Sequence, residues 1–328
     1  MKAISLFSGG LDSCLAIKLI KDQGIDVIAM YIDTGFGGTK DNLAYLESMT
    51  KQVGAELKVV NIKEQFVKDV LFEPKYGYGK NFNPCIDCHA NMFRLGKAMM
   101  EEWGASFLIS GEVLGQRPMS QRGDAMKSVL KLAQAEDILI RPLSAKLLEP
   151  TLPEREGWVD REKLLDISGR SREIQLAMAK EIGLEDYESP GGGCLLTDEN
   201  FSNKLREFIK YDKLESGDID ILKFGRHFRL DDGAKLVVGR NQDDNIGLQN
   251  IDNNKFIPIK LPIAGPFSLI SKNASKEDLE LGAKIAITYA KSSSDDLYDI
   301  EIEGYDNISI SPFENKSQLS KYFFNAKE

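Results

Sequence analysis

Nowhere in these 328 residues does an apolar run approach the roughly 18 that span a bilayer, and no signal peptide precedes the first predicted strand, which starts near Met1. The expectation is a cytoplasmic protein with no membrane partner. Cysteine is scarce: Cys14, Cys85, Cys88 and Cys194 are the only four. A cytosolic chain of this size needs no disulfides, so a close pair is better used for a metal or for redox chemistry. Net positive charge is also lacking. The sum is −9, which excludes a uniformly basic nucleic-acid binder but not a local basic face. Acid collects late, at Asp295, Asp296, Asp299, Glu301, Glu303 and Asp306, with no Lys or Arg between, and reads as a solvated surface. There is no internal repeat and no low-complexity tract.

What is present is an ordinary globular composition, 42% hydrophobic and 28% charged, on a chain long enough for two cores. Ala3–Phe7, Val27–Asp33, Leu57–Ile62, Ser106–Ser110 and Ile138–Pro142 read as strands. Leu11–Gln23, Thr39–Val53, Glu64–Leu71 and Met92–Trp103 read as helices. Such alternation predicts an α/β fold, a doubly wound parallel sheet with ligands at the carboxyl ends of its strands. Residues 150–190 are expected to be mostly helical, most clearly at Ser171–Ile182. The glycine-rich run ending at Cys194 reads as a loop and a domain junction. The expected domains are 1–195, catalytic, and 196–328, a smaller α+β domain. In the latter Phe201–Ile209 reads as a helix, and Ile219–Leu222, Arg226–Leu230 and Lys235–Val238 as short strands with a hairpin at Asp231–Gly233.

Ser8-Gly9-Gly10-Leu11-Asp12-Ser13 sits between a strand and a helix. Two glycines let the backbone approach an anion, and the N–H groups converge at the positive end of the helix dipole. The P-loop lysine is absent, as is the Gly-x-Gly-x-x-Gly pattern. A plain Gly-Gly turn before a helix is the competing structural reading. The run resembles the signature of the PP-loop ATP pyrophosphatases, whose sheet is of the adenine nucleotide alpha hydrolase-like type. The resemblance implies that Ser8, Gly9, Gly10, Asp12 and Ser13 hold the phosphates of ATP, with Mg2+. It also implies that Asp33 and Gly111 lie near the adenosine.

Cys85-Ile86-Asp87-Cys88 puts two thiols at the start of a helix, where the dipole favours thiolates. Cys194 is the third candidate ligand, and Cys14 reads as a buried small hydrophobe. Three thiolates suit a [4Fe–4S] cluster with one open iron. A zinc site completed by His89 and a redox pair stay open as alternatives. Among PP-loop enzymes this arrangement resembles the cluster-dependent tRNA thiolation enzymes, and Asn83-Pro84-Cys85 is similar to a segment of tRNA 2-thiouridylases. Ser110–Gln121 resembles 4-thiouridine synthetase-like proteins. Gly225–Leu230 and Val238–Asn245 resemble the RNA-binding module of NFACT proteins.

These resemblances imply an ATP-dependent tRNA sulfurtransferase that adenylates a uridine carbonyl and replaces its oxygen with sulfur. Asp12, Cys85 and Cys194 would be catalytic, and Cys85, Cys88 and Cys194 the metal ligands. The implied partners are tRNA and a sulfur donor, either a cysteine desulfurase or inorganic sulfide, and a homodimer is compatible with the reading. Arg226, Arg229, Lys235 and Arg240 can meet phosphates, while His227 and Phe228 can stack on a base. Arg117 and Arg122 can also touch RNA. A surface hairpin with ordinary charges is the plainer account of the former group. The rival functions are an RNA- or ribosome-associated binding protein with a vestigial nucleotide fold, and a PP-loop amidotransferase or ligase with structural zinc.

Overall fold

The computed structural model describes residues 1–37, 43–187 and 193–323, and the chain divides into two compact units, Met1–Thr197 and Asp198–Glu328. In the first, β1 (Lys2–Phe7), β2 (Asp26–Asp33), β3 (Glu56–Asn61), β4 (Phe107–Ser110) and β5 (Leu139–Ile140) form a wholly parallel sheet of order β3-β2-β1-β4-β5. Ala3, Ile4, Leu108 and Ile109 are fully buried, as expected of strands covered on both faces. The chain winds outward from β1 through β2 to β3, then returns to β1's other side as β4. That reversal opens a crevice beyond the carboxyl ends of β1 and β4.

The helices of this unit are α1 (Leu11–Lys21), α2 (Leu43–Gln52), α3 (Lys63–Phe66, continued by a π-turn over Val67–Leu71), α4 (Cys85–Trp103), α5 (Gly123–Ala133), α6 (Leu152–Arg155) and α7 (Glu173–Glu181). The predicted helix from Thr39 is described only from Leu43, and most of the glycine-rich run before Cys194 lies outside the described residues. Two expectations change. Residues 150–172 are not mostly helical: α6 lasts one turn, because Pro150, Pro153, Gly157 and Gly169 interrupt the segment. α5 was not foreseen, though Ala125, Met126, Val129 and Ala133 give it a buried stripe.

In the second unit, α8 (Glu199–Tyr211) and α9 (Asp218–Lys223) precede β6 (Arg226–Arg229) and β7 (Lys235–Val238). There follow α10 (Gln242–Gln249), β8 (Phe256–Lys260), β9 (Ser268–Ser271), α11 (Lys276–Thr288), β10 (Tyr298–Ile302) and β11 (Ile308–Ile310). The six strands pair antiparallel in the order β11-β10-β8-β9-β7-β6. Ile219–Leu222 is helical, not a strand; its run of apolar side chains is too short for periodicity to separate the two.

One face of this sheet buries Phe228, Leu236 and Val238 against Leu279, Ala283 and Ala286 of α11. The other meets α8, where Glu207 pairs with Lys235 and Phe208 lies under the Lys235 ammonium. All four residues of β7 are therefore buried. The acidic run behaves as expected along β10, where Asp299 and Glu301 are exposed while Ile300 and Ile302 face the core.

Candidate active site

β1 ends at Phe7 and α1 begins at Leu11, so the Ser8–Gly10 turn stands at the crevice. Gly9 sits at φ +77°, where a side chain is strained, and an added Cβ would lie 2.9 Å from Leu46 Cδ2. Tyr45 donates its hydroxyl to the Gly9 carbonyl at 2.9 Å, and Ser13 Oγ donates to the Gly10 carbonyl at 2.7 Å. Gly111, just past β4, packs so closely that a Cβ there would stand 2.6 Å from the Ser13 amide nitrogen. Glycine at these two positions lets the ends of β1 and β4 meet around the first turn of α1.

Asp12 is held by its Oδ2, which accepts from Gln116 Nε2 at 2.7 Å and lies 3.5 Å from the Arg172 guanidinium. Gln116 in turn accepts from Gln175 Nε2 at 3.0 Å. The other oxygen, Asp12 Oδ1, is shut off from solvent and has no hydrogen-bond partner. A buried carboxylate oxygen left open beside a phosphate loop suits a divalent cation such as Mg2+, a hard ion that takes oxygen ligands. Asp33 stands at the end of β2 between Ile32 and Thr34, which line the cavity described next; its Oδ1 accepts from the Gly35 amide at 2.8 Å and its Oδ2 faces Lys63 at 3.3 Å.

A cavity of about 320 Å3 opens beside the loop. Ser8, Asp12, Ser13 and Gly111 line one part of it, and Cys85, Cys88 and Cys194 another. Cys85 opens α4, and Asn83 Nδ2 donates to its sulfur at 3.1 Å. Cys194 is brought in by an antiparallel bridge to Gly37, beside the bond from the Leu195 amide to the Phe36 carbonyl at 2.8 Å. Burial, then the neighbouring Cys194 and Cys85, push the Cys88 thiol well above its ordinary range. Mutual repulsion of that kind between thiolates is what a bound cation relieves. Cys14 points away, fully buried in the core of this unit, and burial followed by the Asp12 charge raises it to about 12.

A single zinc needs its sulfurs drawn together to within about 4 Å of one another, given Zn–S bonds of about 2.3 Å. Among the described residues no group of three or more His, Cys, Asp or Glu is arranged to hold one metal ion. Three thiols lining one cavity are a donor set of the kind that holds iron–sulfur clusters. His89 does not turn to the thiols through its Nδ1. That nitrogen lies 2.8 Å from Glu112 Oε1, whose second oxygen accepts from Arg141 Nε at 2.8 Å. Burial alone would raise the Glu112 carboxyl, but the Arg141 charge and the His89 hydrogen bond outweigh it and hold it at about 2. Ionised Glu112 can only accept, so His89 carries its proton on Nδ1. Sequence reasoning missed this trio, whose members come from α4, the β4 loop and the segment after β5.

Arg117 is exposed at the wall of the same cavity, whereas Arg122 forms an exposed two-bond pair with Asp124 at 3.1 and 2.6 Å. The second unit corrects the RNA-contact expectations. His227 and Phe228 cannot stack on a base, being 1% and 0% exposed. Alternate residues of β6 face α8 and α11, and both faces are covered. His227 Nε2 lies 2.8 Å from the Phe224 carbonyl, and Phe228 packs 5.2 Å from Phe323 and 6.0 Å from Tyr289. Lys235 is fully buried on Glu207. Arg229 bonds Glu207 at 2.6 Å and lies 4.1 Å over the Tyr211 ring. Arg226 bonds the Gly239 carbonyl at 3.3 Å and covers Tyr289. Arg240, half-exposed, pairs with Asp244 at 2.6 and 3.0 Å.

Two family descriptions match parts of the chain: the Arginosuccinate synthase N-terminal HUP domain over residues 2–77, and the NFACT protein RNA binding domain over residues 225–323. A tRNA-specific 2-thiouridylase of Francisella philomiragia is 22% identical over 78% of this chain and 70% of its own length. A probable tRNA sulfurtransferase of Thermococcus kodakarensis is 25% identical over 55% of this chain and 43% of its own. A solved 4-thiouridine synthetase–RNA complex with bound ATP aligns with 68% of this chain and 52% of that one, at 20% identity and a TM-score of 0.42. The chain thus joins a first unit similar to PP-loop proteins, tRNA thiouridine synthetases among them, to a second unit most of which matches the NFACT RNA binding domain description.

Proposed function

We propose that this protein is an ATP-dependent tRNA sulfurtransferase. The observation that carries the reading is one cavity shared by a phosphate loop and three cysteines. The Ser8–Ser13 turn and the N-terminus of α1 hold the ATP phosphates, and Asp12 would hold Mg2+. A uridine carbonyl oxygen attacks the α-phosphorus, pyrophosphate leaves, and its charge is taken up by the backbone N–H groups of the turn; a bound Mg2+ would supply further countercharge. The adenylated oxygen then departs with AMP, a far better leaving group than oxide, as a carbon–sulfur bond forms. A [4Fe–4S] cluster on Cys85, Cys88 and Cys194 would supply an open iron site for the incoming sulfur. Asn83, through its bond to Cys85, fixes the first of these thiols, and the 194–195 segment, tied to residues 36–37, fixes the last. The RNA-binding domain would hold the tRNA.

The test is direct. Protein purified without oxygen, given ATP, Mg2+, sulfide and unmodified tRNA, should release pyrophosphate and yield thiouridine by mass spectrometry of the digested RNA. Single Ala replacements at Cys85, Cys88 or Cys194 should each lose iron and activity, and Cys14→Ala neither. No RNA-dependent pyrophosphate release, or full iron content in Cys194→Ala, would overturn the reading.

A further inference from the structure

The segment before α4, residues 72–82, has no part in the chemistry above, yet its surface is unusual. Phe72, Tyr76 and Tyr78 are 39%, 42% and 38% exposed within seven residues, with Lys75 and Lys80 exposed among them. Single exposed aromatics need no account, but three within one short ordered loop do. Phe82 props the set from the side, with ring centroids 4.6 Å from Tyr78 and 6.2 Å from Phe72. The backbone is pinned rather than loose. Asp87 accepts from the Lys75 and Tyr76 amides at 2.8 and 3.0 Å, Tyr78 donates its hydroxyl to the Leu71 carbonyl at 2.8 Å, and the Gly79 amide bonds the Asn83 carbonyl at 2.9 Å. Asp87 lies between Cys85 and Cys88, so the aromatic loop is bolted to the turn that carries two of the three thiols. Asn83 and Pro84, the chain's next residues, already line the cavity.

We propose that this loop is the platform on which nucleobases flanking the target uridine stack, with Lys75 and Lys80 meeting the adjoining phosphates. The inference rests on the tRNA reading above and names the surface that holds the substrate beside the cavity of the catalytic unit. A uridine placed in the cavity must leave its stack, and its neighbours then need new faces. Exposed, pre-ordered tyrosines interleaved with lysines supply them irrespective of base identity.

Tyr76→Ala should weaken tRNA binding and raise KM for tRNA roughly tenfold, leaving kcat with inorganic sulfide within about twofold. Tyr76→Phe should restore both, since the ring rather than the hydroxyl is used. Lys80→Ala should make the log K versus log salt slope shallower by about 0.7. An unchanged tRNA Kd in Tyr76→Ala overturns the platform. So does a defect seen only when a cysteine desulfurase is the donor, which would make the loop a protein-docking surface. Wild-type protein that binds tRNA but makes no thiouridine would sink the sulfurtransferase reading alone, because the Kd of Tyr76→Ala still decides this one.

Discussion

Buried charge serves different ends at the crevice of the parallel unit and between the layers of the antiparallel one. At the crevice of the parallel unit a carboxylate oxygen is left open: Asp12 Oδ1 is buried without a hydrogen-bond partner. In the antiparallel unit, the charges close on one another, with Glu207 held between Lys235 and Arg229 and Asp244 beneath Arg240. Open valences in a low-dielectric pocket await a ligand, whereas mutually satisfied ones stitch layers of a core together. The cations that read from sequence as an RNA-binding set are largely such stitches. His227, Phe228 and Lys235 are buried and therefore not available to an RNA.

The sharpest test of the contrast is Asp12→Ala. It should abolish ATP-dependent pyrophosphate release, by at least a hundredfold, with melting temperature and circular dichroism near wild type; wild-type turnover would show that the open oxygen serves nothing. The mirror experiment is Glu207→Ala, which strands two cations and should cost roughly 3–5 kcal/mol of stability, read by denaturant unfolding. A loss below about 1 kcal/mol would mean that Lys235 and Arg229 are solvated, not stitched. Phe228→Ala should likewise lower the unfolding free energy by a core-cavity amount, about 3–5 kcal/mol, read by the same denaturant titration.

Glu112 gives a pH version. Its folded carboxyl lies at about 2 against an ordinary 4.5. Its contribution, about 3 kcal/mol, is therefore complete above pH 4.5 and lost as pH falls from there toward 2. Glu112→Gln should remove that part of the acid dependence, and an identical acid profile in the variant would contradict the Arg141–His89 assignment. The smallest expected effect is at Arg240, whose guanidinium is half-exposed but paired. If it still reaches a phosphate, Arg240→Ala should flatten the salt slope of tRNA binding by about 0.7–0.9, and an unchanged slope would class it with the stitches.

How much of this was legible in the sequence follows from how local each feature is. The phosphate turn was readable because its chemistry lies in six consecutive residues between a strand and a helix. The Cys85–Cys88 pair opening a helix was readable for the same reason, although the helix starts seven residues earlier than its apolar pattern suggested. Glu112, Arg141 and His89 were not, because three separate elements converge on one carboxylate and none carries a spacing signal. The stacking role assigned to His227 and Phe228 failed because a two-faced sheet buries both parities of a strand, while the sequence shows only neighbouring polar and aromatic letters. α9 failed for want of length.

The bridge from Gly37 to Cys194 has a consequence for assembly. Cys85 and Cys88 come together as soon as one helical turn forms, but the third thiol arrives only when a segment far down the chain closes back on the end of β2. On a ribosome, then, the two early thiols emerge and fold well before their companion exists. A cofactor held by all three thiols, as proposed above, would load only once the last stretch of the first unit is in place. A chain halted short of residue 194 would present a phosphate loop that can take up nucleotide and a sulfur site that cannot be completed.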